Sequence, residues 1–301
     1  MRHIFIINPM SGNKQAVKYI PQIEDYFKSK PTDYEILLTQ YPGHATELAK
    51  KYVKEDNVCV YSLSGDGTAN EVLNGLNEGV SLAILPLGTG NDFTRMFQIP
   101  EMPLEQLITE TIEGKECYVD YGMSNSRKFL NCSTMGLDAD IGILAHELKV
   151  KYPMLGSFTY VLAIFPLLIK RKPLNFTVTM DNQTLKVKSL LTAVMNGQFY
   201  GGGFTPTPMA SIQDGYLDLC IIQDTNLLRI LTLLPKYKAG KHIFEDIVSF
   251  YKVKQFNLLS EREISTQCDG EVYPEIEINF KIVEKGLRLR VPKRSLLEEA
   301  K

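Results

Sequence analysis

Ser64-Gly65-Asp66-Gly67-Thr68-Ala69-Asn70-Glu71 decides how this chain is read, together with Leu85-Pro86-Leu87-Gly88-Thr89-Gly90-Asn91-Asp92-Phe93 shortly after it. Each segment follows an apolar run of strand character, Val58 to Leu63 and Leu82 to Leu87, and each opens into a helix-like stretch. Glycines at a strand-to-helix turn let backbone N–H groups come close to a phosphate, and the helix N-terminus adds partial positive charge. Each loop also carries a carboxylate, Asp66 or Asp92, which would repel a bare phosphate. A metal ion between carboxylate and phosphate resolves the conflict, so the pair suggests a site for a Mg²⁺-nucleotide. Either segment alone could be an ordinary turn, because Gly, Asp, Asn and Thr populate turns everywhere. Two in consecutive βα units are a stronger signal, since a doubly wound sheet sets them side by side at the C-terminal ends of neighbouring strands.

Working outward, the first 120 residues alternate strand-like runs (His3–Ile7, Tyr34–Thr39, Val58–Leu63, Leu82–Leu87) with helical patterns around Ala16–Lys28, Ala45–Lys54 and Asn70–Asn77. Pro21 should kink or restart the first helix. This alternation predicts a parallel sheet covered by helices. From about Tyr121 the runs become short and β-rich: Arg127–Ser133, Phe176–Met180, Leu185–Leu191, Tyr216–Ile222, Val248–Lys254, Ile264–Cys268 and Ile276–Phe280. Asp181-Asn182 reads as a hairpin turn. Closely spaced strands predict an antiparallel sandwich. Met154–Ile169 is apolar, interrupted by Gly156 and Pro166, and flanked by Lys149, Lys151, Lys170, Arg171 and Lys172. It is short for a membrane span and reads equally well as a helix packed on the sandwich or as a lip that meets anionic headgroups.

At 301 residues the chain has room for about two domains. A 44% hydrophobic, 23% charged composition is ordinary for a globular protein, and a net charge of −2 offers no general attraction to nucleic acid or anionic lipid. Five cysteines without C-x-x-C spacing read as reduced, mostly buried thiols of a cytoplasmic protein. Met1 to Pro9 does not resemble a signal peptide, because its apolar run is short and ends in a turn. No Walker loop, dinucleotide fingerprint or zinc-protease helix is present in the sequence.

A series of ordered motifs resembles the diacylglycerol kinase catalytic-domain family of bacterial lipid kinases, part of the wider NAD kinase and phosphofructokinase-like group. They are Asn8-Pro9-Met10-Ser11-Gly12, Thr39 with Gly43-His44-Ala45, the two loops, and Asp269-Gly270-Glu271. Ser64 stands where that family carries a glycine. The resemblance implies an α/β nucleotide-binding domain over 1–121, completed by 286–301, and a β-sandwich lipid-substrate domain over 122–285. It implies ATP contacts from Asn8, Pro9, Met10, Ser11, Gly12, Thr39, Gly65, Asp66, Gly67, Thr68, Ala69, Asn70, Glu71, Thr89 and Asp92. Asp66 is the key carboxylate near the nucleotide, and Asp92 and Asp120 are acidic positions of the family's cleft. Without the resemblance, Asp120 reads as a solvent-facing strand residue.

Phosphoryl transfer to an alcohol also needs a carboxylate to take the hydroxyl proton. The resemblance assigns that role to the Asp269-Gly270-Glu271 segment, which alone reads as a turn. Glu271 is favoured and Asp269 stays open. A structural Mg²⁺ at Asp214, with main-chain oxygens near Ser211 and Tyr216, is implied in the same way, and oxygen ligands suit a hard cation.

The expected activity is ATP-dependent phosphorylation of a lipid hydroxyl, foremost diacylglycerol to phosphatidic acid. Phosphatidylglycerol, a sphingoid base, NAD or a sugar phosphate are alternative acceptors, and a nucleotide-binding regulator without turnover is a further reading. Expected partners are ATP and a lipid at the inner face of the cell membrane, met peripherally, and no nucleic acid. A homodimer is compatible with the reading.

Overall fold

The computed structural model describes residues 1–54, 57–155, 158–170, 173–180 and 183–300. They form two compact units, Met1–Asp120 with Glu284–Lys301, and Tyr121–Val283.

In the first unit, β1 (Arg2–Ile7), β2 (Tyr34–Leu38), β3 (Val58–Ser64) and β4 (Ser81–Pro86) run parallel in the order β2-β1-β3-β4. β3 is buried along its whole length and β4 nearly so, which explains their unbroken apolar runs: a parallel strand covered on both faces has no polar side to present. The helices are α1 (Ser11–Lys14), α2 (Ile20–Phe27), α3 (His44–Ala49), α4 (Asp66–Gly75) and α5 (Leu104–Ile112). As expected, Pro21 restarts the first helical stretch. A 3₁₀ turn over Ala16–Tyr19 gives way to α2 with proline in its first positions, where its missing N–H costs nothing.

Two expectations shift. α4 begins at Asp66, not near Asn70, because extended Gly65 caps it and an acidic first residue suits the positive helix end. The second loop leads into a short 3₁₀ turn, Phe93–Phe97, and not a long helix.

The second unit is antiparallel. β5 (Lys115–Ser124) enters it, followed by β6 (Arg127–Phe129), β7 (Cys132–Gly136), β8 (Leu174–Met180), β9 (Gln183–Met195), β10 (Leu217–Gln223), β11 (Val248–Val253), β12 (Gln255–Cys268) and β13 (Glu271–Val291). The order is β11-β10-β9-β7-β12-β13, with β8 pairing both β9 and β12. The stretch expected as one strand over Arg127–Ser133 divides into β6 and β7. The hairpin turn expected at Asp181-Asn182 lies outside the described residues. The end of β13 returns to the first unit, where Arg288–Arg290 pair in parallel with Ser81–Ala83 of β4.

Among the described residues the strands are interrupted by α6 (Leu137–Lys151), α7 (Phe158–Lys170) and α8 (Leu227–Lys238). Only α7 was foreshadowed, by Met154–Ile169, and α7 starts later, after a 3₁₀ turn over Pro153–Leu155. α6 was legible in principle, since Leu137, Ile141, Leu144, Ala145 and Leu148 recur at helical spacing. One core of the unit lies between these helices and the face of the sheet that carries Leu191, Ala193, Met195, Cys220 and Ile222. A second core holds Met135, Val194, Leu219, Leu258 and Phe280.

Candidate active site

The first-unit site grows from three strand ends. After β1, the Asn8 side chain folds its loop by accepting the Met10 N–H at 2.9 Å and donates to the Thr68 hydroxyl at 3.0 Å. The two glycine loops touch back to back. A Cβ on Gly88 would lie 2.6 Å from the Gly65 Cα, so Gly88 does not tolerate a side chain in this packing, and one on Gly65 would be tight at 3.1 Å from the Gly88 Cα. Leu87 N–H donates to the Ser64 carbonyl at 2.8 Å, and Asn91, in left-handed conformation, brackets Gly88 with two side-chain hydrogen bonds. Ser64 ends β3 as a buried residue whose hydroxyl pairs with Ser62 at 2.7 Å. It is absent from the positive-φ positions, so the change from glycine imposes no backbone cost.

Asp66 and Asp92 converge beside Gly90. A Cβ there would meet Asp66 Oδ2 at 2.9 Å and Asp92 Oδ2 at 3.2 Å. Asp92 N–H donates to Asp66 Oδ2 at 3.3 Å, and Arg95 Nε lies 3.3 Å from Asp92 Oδ1. Burial pushes the Asp66 carboxyl above the ordinary range and the Asp92 charge pushes it further, against backbone N–H groups that pull it down. These two carboxylates, one of them already paired with Arg95, could together hold a metal ion. Their hard oxygens suit Mg²⁺, which commonly takes one or two protein carboxylates and completes its shell with phosphate and water.

The remaining expected nucleotide contacts divide. Met10, Gly67 and Thr89 are exposed, and Asn8, Pro9, Ser11, Gly12, Thr39 and Gly65 are half-buried. Thr68, Ala69 and Asn70 are buried, and Asn70 receives the Asn74 amide at 2.9 Å. Glu71 joins α4 to α3, its carboxylate taking the Ala45 N–H and its carbonyl the Thr46 hydroxyl. Glu71 therefore ties α4 to α3. The helices cross so closely that a Cβ on Gly75 would lie 2.2 Å from the Thr46 carbonyl oxygen. His44 accepts the Gln40 N–H at 3.1 Å and stacks on Tyr41, a positioning role. Asp120 is fully buried, contrary to the solvent-facing reading, and accepts the Lys285 N–H at 2.7 Å.

In the second unit, Asp269-Gly270 is the two-residue turn between β12 and β13. Both residues have positive φ and Cys268 pairs with Glu271, the Asp-Gly pattern of a tight hairpin. The Asp269 carboxylate accepts three backbone N–H groups, from Leu130 at 2.5 Å, Asn131 at 3.0 Å and Cys132 at 2.9 Å. It anchors the β6–β7 connection. Glu271 has a different environment: it is half-buried, and the Tyr273 hydroxyl donates to it. The Arg127 guanidinium stands 3.5 Å over the Tyr273 ring, and the tyrosine's proton is held well above its usual range, first by burial and then by Glu271.

At the expected structural cation site, Asp214 Oδ1 accepts the Tyr216 N–H at 3.1 Å, Oδ2 lies 2.7 Å from Lys252 Nζ, and the Ser211 hydroxyl accepts the Gln213 N–H at 3.3 Å. Asp218 faces Lys252 across the strand pair, and burial lifts its carboxyl to about 6, with Lys252 opposing and Asp214 adding to the shift. Among the described residues no three His, Cys, Asp or Glu side chains gather as a metal cluster.

Sequence reading gave no sign of the cavity beneath α6, α7 and α8. This cavity of about 50 Å³ is lined by thirteen residues that are aliphatic or aromatic, among them Ile141, Ile164, Leu191, Phe204 and Leu233. The only polar atoms such side chains bring are the Tyr200 and Tyr237 hydroxyls, 3.1 Å apart.

Glycine loops with paired carboxylates in the first unit, and an acidic hairpin turn and an apolar cavity in the second, are features that suit a kinase acting on an alcohol. Residues 2–124 match the diacylglycerol kinase catalytic domain, and residues 132–291 match the YegS C-terminal NAD kinase beta sandwich-like domain. The chain belongs to the diacylglycerol kinase catalytic-domain family, and with it to lipid kinases whose acceptor is an alcohol. A diacylglycerol kinase of Staphylococcus carnosus is 28% identical over 292 residues, spanning 96% of this chain and 94% of the relative. One from Staphylococcus haemolyticus is 27% identical over 298 residues, spanning 98% and 89%. The solved structure of a diacylglycerol kinase from Bacillus anthracis shares the fold, with TM-score 0.69 at 23% identity over 96% of both chains.

Proposed function

We propose that this protein transfers the γ-phosphoryl group of ATP to the free hydroxyl of a diacylglycerol, giving phosphatidic acid. The unit Met1–Asp120 with Glu284–Lys301 serves the nucleotide and the unit Tyr121–Val283 serves the lipid. The observation that carries the choice of a lipid over NAD or a sugar phosphate is the carbon-lined cavity under α6, α7 and α8. A polar acceptor would gain nothing from it, whereas each acyl CH₂ buried there is favourable by about 0.8 kcal/mol.

Glu271 accepts the proton of the attacking hydroxyl, with Tyr273 steering its carboxylate. Backbone N–H groups of the Asn8–Gly12 and Gly65–Thr68 loops bind phosphate oxygens. Asp66 and Asp92 would hold Mg²⁺, which neutralises charge on the transferring group. Asp269 keeps the turn in shape and takes no proton.

Contact with the membrane is peripheral and from its inner face. No helix among the described residues is long and apolar enough to cross a bilayer. Met154 is fully exposed between α6 and α7, with Val150 and Tyr152 also exposed and Lys151 beside them, a combination that suits an anionic headgroup layer.

Labelled ATP offered with diacylglycerol, phosphatidylglycerol, sphingosine, NAD and fructose 6-phosphate should label diacylglycerol foremost. In that assay Met154→Asp should lose activity on vesicles and keep it on a dispersed short-chain lipid. Labelled NADP with no labelled lipid would overturn the reading.

The Asp214 site is proposed as a second, structural cation site in competition with the Lys252 ammonium. Mg²⁺ without nucleotide should then raise the melting temperature of the wild type, because the cation binds only the folded state. The rise should shrink in Asp214→Ala and grow in Lys252→Met. Equal responses in all three proteins would remove the site.

A further inference from the structure

We infer that Thr134 and Gln267 form a polar notch that grips an acyl ester carbonyl of the lipid, an inference that rests on the lipid-kinase reading above. Gln267 of β12 pairs directly with Thr134 of β7, and Thr134 pairs in turn with Ala193 of β9. Directly opposed residues share one face of a sheet. This is the face of Ala193 and Leu191, which the core beneath α6 covers. Thr134 is completely buried, yet among the described residues its hydroxyl has no hydrogen-bond partner, and the buried Gln267 Oε1 has none either. Buried polar atoms in folded proteins are nearly always paired, so two orphans on neighbouring strands mark a place where another group belongs.

Helix α6 packs closely on Gln267 at Gly142, where a Cβ would lie only 2.6 Å from Gln267 Oε1, so only a glycine lets the helix pass there. Ile141, the residue before Gly142, and Leu191, two residues before Ala193, both line the apolar cavity proposed for the acyl chain. The group that fills the notch is the polar joint of an otherwise carbon chain. An ester carbonyl accepts the Thr134 O–H, and a half-turn of the Gln267 amide brings a second donor to the same place.

The test compares diacylglycerol with its diether analogue, which lacks both carbonyls and keeps the chains and the hydroxyl. The wild type should prefer the ester by about tenfold in kcat/KM, the size expected for an unmade buried hydrogen bond. Thr134→Val and Gln267→Leu should each bring that ratio close to one, and Thr134→Ser should restore it. A merely structural role would lower activity on both lipids alike and leave the ratio unchanged. An unchanged ratio in the variants, or equal use of both lipids by the wild type, overturns the notch and leaves the lipid-kinase reading standing. A wild type that labels neither lipid overturns both. Gln267 is half-buried, so Gln267→Leu supplies the answer if Thr134→Val does not fold.

Discussion

Asp66→Asn should abolish phosphoryl transfer and, in the same protein, raise the melting temperature at neutral pH. The first effect follows from charge. Asp66 and Asp92 crowd Gly90, and the substitution removes half of the charge available to a cation there without changing shape. A loss of about a thousandfold in kcat, roughly 4 kcal/mol, is expected. Retention of a tenth of the activity, a loss of about 1.4 kcal/mol or less, would sink the metal-loop argument. The second effect follows from burial. The folded state raises the Asp66 carboxyl above its unfolded value, chiefly by desolvation and then by Asp92. Its contribution to stability is therefore fully present below the unfolded value of about 3.9 and is lost as pH rises through the folded value. Asparagine escapes that loss. Melting curves of both proteins without nucleotide or metal should separate at pH 7 and converge near pH 3.

Glu271→Gln and Asp269→Asn should fail in opposite ways, although the two residues stand on either side of one glycine. Glu271 makes a side-chain hydrogen bond with Tyr273, so its amide should leave the melting temperature within about a degree and cut kcat at least about a hundredfold, the usual worth of a general base. Asp269 accepts three backbone N–H groups. An amide in its place would turn an N–H₂ toward donors that need an acceptor, a cost of about 3 kcal/mol and a fall on the order of 10 °C. Activity per folded molecule should survive in Asp269→Asn. If Asp269→Asn melts normally and is inactive while Glu271→Gln turns over, the two roles are reversed.

The βα alternation and the two glycine loops were plain in the sequence because they are local. A strand buried on both faces needs an unbroken apolar run, and a chain bending close to phosphate needs glycine. Asp-Gly between two strands likewise carried its own turn. The antiparallel second unit is legible from strand spacing, whereas the cavity that α6 and α8 cover carries no comparably local signal.

What the sequence by itself determined was the fold class, the family and the loops where phosphate chemistry belongs, because each is written in neighbouring residues. Only the tertiary structure decided which carboxylates have their oxygens taken. Asp269 is tied to Leu130, 139 positions away, and Glu71 is turned to α3 by Ala45, 26 positions away. Asp120 is buried against Lys285, 165 positions away. The orphaned Thr134 and Gln267 belong to the same class of fact. Hydrogen-bond partnership is set by which distant segments pack together, and packing is a property of the whole chain, so no motif read along one stretch can contain it.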